Sequence, residues 1–63
     1  MANKLEINKN QLEEIKQDIK YIETYNEALN IEFNKEKQYD KYVNEKINLI
    51  EKHLNNIKKI CKI

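Results

Sequence analysis

Residues 34–40, Asn34-Lys35-Glu36-Lys37-Gln38-Tyr39-Asp40, decide the fold, because they interrupt an otherwise regular apolar seam. Upstream, Leu12, Ile15, Ile19, Ile22, Leu29 and Phe33 recur at three- and four-residue steps. Downstream, Val43, Ile47, Ile50, Leu54, Ile57 and Cys61 resume those steps in the same frame. Such spacing is the signature of amphipathic helix, and the period-two alternation of strands is absent. Column a of the heptad then reads Leu5, Leu12, Ile19, Asn26, Phe33, Asp40, Ile47, Leu54, Cys61. Column d reads Asn8, Ile15, Ile22, Leu29, Glu36, Val43, Ile50, Ile57.

Glu36 and Asp40 thus fall on consecutive core positions, and both are acidic. Two unpaired carboxylates at one level of a seam are costly to bury, since each loses water and they repel. The stretch is therefore a turn between two helices or the polar waist of one rod, about 90 Å long at 1.5 Å per residue. The acidic waist favours the turn. The expected fold is all-α: an antiparallel helical hairpin with coiled-coil-like packing, one domain over 1–63. Helix 1 is expected over about 8–33, the turn over about 34–40 and helix 2 over about 41–62. The alternative is a single long coiled-coil helix.

Closure centred between Asn34 and Lys35 predicts layers of Leu12 with Ile57, Ile15 with Leu54, Ile19 with Ile50, and Ile22 with Ile47. Lys16 then falls near Glu51. Asn8 and Gln11 have capping-box spacing, with Ile7 and Leu12 placed as a hydrophobic staple. Asn34 is a candidate left-handed terminator of helix 1 and Asp40 a candidate cap of helix 2.

The apolar arc is wider than two columns. Column c adds Ile7, Tyr21, Ala28, Tyr42, Leu49 and Ile63, and column g adds Tyr25, Tyr39 and Ile60, whereas column b is polar throughout. An a/d stripe suits a two-stranded seam, and a broader face belongs to a bundle. The hairpin is therefore expected to be completed by self-association, as a dimer forming a helical bundle, or by a larger protein partner. The expected oligomer core is Leu12, Ile15, Ile19, Ile22, Asn26, Leu29, Val43, Ile47, Ile50, Leu54 and Ile57, with Asn26 a candidate register-setting polar residue.

Size supports association. A chain of 63 residues buries only about 60% of the surface its unfolded form exposes, and such domains usually need a staple. One cysteine and one histidine supply neither an internal disulfide nor a structural zinc site. No metal and no cofactor are expected.

Twelve basic residues against eleven acidic ones give a net charge of +1, so no global field points to a polyanion. Every basic residue is Lys, and bidentate reading of phosphates and guanine edges is largely Arg work. The lysine-rich end, Lys52, Lys58, Lys59 and Lys62, complements a helix C-terminus. The same end carries the alternative function, contact with nucleic acid or a membrane surface. No apolar stretch is long enough for a transmembrane helix or signal peptide, which makes the cytoplasm the expected location. Lys, Asn and Ile make up just over half the chain, as in proteins of AT-rich bacteria, their phages and plasmids.

Tyr21, Tyr25, Tyr39 and Tyr42, with Phe33, are the candidate partner-binding residues, expected to gather at the turn end of the hairpin. Tyrosine offers large contact area with a polar tip and is enriched at interface hot spots. Catalysis has little to draw on: the chain has no Ser and one Thr, so His53, expected at a solvated boundary, lacks an obvious nucleophile. Lys37-Gln38-Tyr39-Asp40 is similar to a fragment of the Ser-Gln-x-x-Asp motif of small helical-hairpin aspartyl-phosphate phosphatases of sporulating bacteria. Lys stands where that motif has Ser, and the spacing from Gln38 to Asp40 is one residue shorter. The resemblance implies Asp40 as the functional acid. The leading expectation is a non-catalytic interaction or regulatory module, such as an accessory or inhibitor protein.

Overall fold

A computed structural model describes residues 6–62; Leu5 and Ile63 of the heptad columns lie outside them. The chain forms α1, Lys9–Phe33, and α2, Asp40–Cys61, packed side by side as an antiparallel all-α hairpin. The alternative of a single long helix is excluded.

The start of α1 follows from its capping box. The Gln11 amide donates to Asn8 Oδ1 at 2.8 Å, and the Asn8 amide donates back to Gln11 Oε1 at 3.1 Å. Two of the amides that a helix start leaves unpaired are thereby satisfied. At the other end, Asn34 lies in the right-handed region at φ −85°, ψ −6° and does not adopt the left-handed conformation expected of it. The helix instead tightens: the Asn34 amide donates to the Ile31 carbonyl and that of Lys35 to Glu32, both at i→i−3.

Glu32 builds the turn. Its buried carboxylate accepts from Lys35 Nζ at 3.0 Å and from the backbone N–H of Tyr39 at 2.7 Å. The Gln38 side chain closes the loop further by donating to the Lys35 carbonyl at 2.7 Å. Tyr39 is therefore the N-cap of α2, and its side chain makes no capping bond. Asp40, expected as the cap, lies one residue inside the helix, where its charge still faces the positive end of the dipole. At the far end Lys62 takes the left-handed position at φ 58°, with Lys58 and Lys59 in the last turn.

Because Glu32 ties down Tyr39, it also sets the register of the two helices. Asp18 meets His53 and Tyr25 meets Lys46 at the same relative height, so column g faces column g at three levels one heptad apart. That register places Ile15 level with Ile57, Ile22 with Ile50, and Leu29 with Val43. The layers expected from closure between Asn34 and Lys35 are displaced by about two residues. Lys16 accordingly pairs with Glu13 on its own helix at 3.7 Å, and no ion pair with Glu51 occurs among the described residues.

The seam thus runs between columns d and g, with Ile15 and Leu29 its buried apolar residues. Column a turns outward: Leu12, Ile19, Ile47 and Leu54 keep 44%, 44%, 38% and 41% of their surface in contact with water, and Asn26 is exposed too. The physical cause is that the acids of column g find donors across the seam, whereas the centre of column a has no partner in a two-helix packing.

The Glu32 carboxyl is held below its ordinary range by the Lys35 hydrogen bond and then by the Tyr39 amide. A group lowered on folding contributes stability above its unfolded value, and that contribution is lost as pH falls through the folded value. Glu32→Gln is expected to lower the urea midpoint at neutral pH, with the gap to the native chain closing on acidification. A gap that does not change with pH would show that the carboxylate charge contributes nothing.

Candidate functional site

The two flanks of the seam carry different chemistry. In an antiparallel pair, equivalent heptad columns of both helices emerge on the same side. Column a of α1 and α2 therefore forms one aliphatic face, Leu12 and Ile19 beside Ile47 and Leu54, with Phe33 exposed toward its turn end. Column c emerges on the opposite side, next to column g, and carries Tyr21 and Tyr42.

That second flank is organised around Asp18, which is only 6% exposed. Asp18 Oδ1 lies 2.8 Å from His53 Nδ1, and Asp18 Oδ2 accepts from Asn56 Nδ2 at 2.6 Å. An ionised carboxylate has no proton to give, so the imidazole proton of this bond belongs on Nδ1. Asn56 Nδ2 also donates to Glu14 Oε1 at 3.1 Å. Two side chains of α2 are thereby held by two of α1, and no buried side-chain polar atom among the described residues lacks a partner. His53, expected at a solvated boundary, is drawn into the seam because the register sets it against Asp18.

Aromatic rings cover this cluster. Tyr21 stacks on His53 with centroids 4.9 Å apart and planes 11° apart. Tyr25 lies 6.3 Å from Tyr21 and 6.0 Å from His53. Lys46 Nζ sits 4.7 Å from the Tyr42 ring and 5.7 Å from that of Tyr25, within cation–π range. Of the candidate partner-binding residues, Tyr21, Tyr25 and Tyr42 are thus joined through His53 and Lys46 along the middle of the hairpin. Phe33 and Tyr39 stay apart from that row near the turn, and Tyr39 is 72% exposed. The single cluster expected at the turn end does not form, because Tyr25 and Lys46 share a level of the seam and draw the rings away from the loop.

A groove of about 380 Å³ opens beside the cluster, lined by Asp18, Lys52, His53, Asn55, Asn56 and Lys59. An aspartate holding Nδ1 of a histidine is the orienting half of a hydrolytic triad. The Thr24 hydroxyl, however, donates to the Lys20 carbonyl at 3.0 Å, and no hydroxyl nucleophile bonds His53 among the described residues. The geometry is that of an inter-helix clamp. No three His, Cys, Asp or Glu side chains among the described residues come together as metal ligands. Cys61 is a half-buried free thiol. Asp40 is exposed at the start of α2. No helix among the described residues is long and apolar enough to cross a membrane.

Asp18, Glu32 and Asn56 are the organising residues that heptad reading missed. A signal for Asp18 was present in column g, where Asp18 with His53 and Tyr25 with Lys46 make two complementary levels in one antiparallel register; Glu32 binds a backbone amide and Asn56 lies in column c, so neither showed there. Compared with protein-family models, curated proteins and solved structures, the chain matches none.

Proposed function

We propose that this protein is a non-catalytic interaction module that works by burying its column-a face against another polypeptide. The observation that carries the reading is the placement of Leu12, Ile19, Ile47 and Leu54 on one side of the hairpin, each more than a third exposed. Scattered exposed aliphatics need no explanation, whereas a contiguous row drawn from two helices marks a contact surface. The polar clamp supports the reading from the other side. It engages Asp18, His53 Nδ1 and Asn56 Nδ2 in bonds between the two helices, which supports a structural role for them.

The test is a photo-crosslinking amino acid placed in the full chain in cells, at position 19 and, as a control, at position 31. Ile31 is exposed on the outer column f, away from the aliphatic row. Position 19 is expected to give an adduct of defined mass and position 31 none. Absence of any adduct at position 19 would remove the basis of the proposal.

A further inference from the structure

We infer that the polypeptide covering the column-a face is a second copy of this chain, so that two hairpins meet face to face as a four-helix bundle. The inference rests on the interaction reading above and names the partner.

The first ground is surface. The chain exposes 5752 Å², whereas a compact monomer of its 7.7 kDa mass exposes about 4,300 Å². The excess of about 1,400 Å² exceeds the roughly 800 Å² that each partner contributes to a standard interface. Its radius of gyration of 14.8 Å compares with about 10.6 Å for a compact domain of this length. Part of that excess is elongation, and packing a second rod alongside is the association that reduces it.

The second ground is the core. Among the described residues only Ile15 and Leu29 are buried apolar residues, and no side chain is fully buried. Ile22, Val43, Ile50 and Ile57, which face the seam, remain half-buried. A hairpin with so little interior gains from a cover along its length, and a second hairpin of the same length supplies one.

The third ground is self-complementarity. With a two-fold axis parallel to the helices, α1 of one copy lies antiparallel against α2 of the other at the heights already fixed within the hairpin. Ile19 then stands within about 3 Å of the level of the second copy's Leu54, at 1.5 Å rise per residue. Leu12 bears the same relation to Cys61. Symmetry supplies each layer twice. The half-buried column-d residues close inward between them, giving each helix two adjacent seams, as bundle helices have.

Light scattering on the purified full chain over a dilution series, with helicity followed in parallel, tests this. The expected mass is twice 7.7 kDa, falling toward the single-chain value only on dilution and with loss of helix. Ile19→Glu with Leu54→Glu is expected to abolish the dimer, while Ile31→Glu keeps it. Should the double variant fail to fold, Ile19→Ser is the gentler probe and is expected to weaken dimerisation about tenfold or more. A monomer at every concentration, or a dimer indifferent to these changes, overturns the inference. A monomer whose position-19 probe couples to a different protein in cells overturns the second copy alone. A monomer with no adduct overturns the interaction reading as well.

Discussion

Asp18→Ala is expected to lower the stability of the hairpin by about 2–3 kcal/mol, the scale of a lost charge-assisted hydrogen bond whose partners stay partly buried. For a chain of this length total stability is only about 3–9 kcal/mol, so the variant should sit near the edge of folding. Urea unfolding followed by far-UV circular dichroism measures the effect. Asp18→Asn keeps one acceptor oxygen and should retain part of the loss. Exposed ion pairs contribute little; Asp18 differs because it is 6% exposed and accepts from both His53 and Asn56. An unchanged midpoint in Asp18→Ala would place this cluster with the exposed pairs after all.

Leu29→Ala is expected to cost a comparable amount, about 2–3 kcal/mol, from lost transfer energy plus the space left behind. Leu29 is one of two buried apolar side chains among the described residues and stands level with Val43, close to the turn, where α1 and α2 are held by Glu32. Ile31→Ala is the control. Ile31 is exposed, and surface changes of this kind stay within about 0.5 kcal/mol. Equal midpoints for the two variants would mean that column d is not the packed column.

The hairpin, its capping box and the location of its turn were legible in the sequence. Each rests on local information: the break at Glu36 and Asp40, the Asn8–Gln11 spacing, and three-four steps on either side, interrupted upstream only at Asn26. Which columns pack was not legible from hydrophobicity. An apolar count makes a and d the centre of the seam, because it assigns Asp18 and Glu32 to water. Both are buried, since a carboxylate with two well-placed donors can leave solvent at modest cost. Those donors lie on α2 and in the turn, and they come into view only when antiparallel registers are tried against one another. The tyrosines illustrate the same limit. Tyr21 and Tyr25 stack as their four-residue spacing on one helix allows, but the contacts joining Tyr21 to His53 and Tyr42 to Lys46 follow from tertiary placement, and Tyr39 stays apart.

The bond from Tyr39 to Glu32 spans seven residues, and that brevity bears on how fast the molecule forms. Loops of about ten residues close in roughly 10–100 ns, so the turn can assemble before any distant contact does. From there the helices can pair outward in sequence, Tyr25 reaching Lys46 next and Asp18 reaching His53 later. On that order the Asp18 cluster is still open at the rate-limiting barrier. Its removal should then accelerate unfolding and leave the folding arm of a stopped-flow chevron nearly in place. A slowed folding arm for Asp18→Ala would instead mean that the far cluster, and not the turn, is where the hairpin first takes hold.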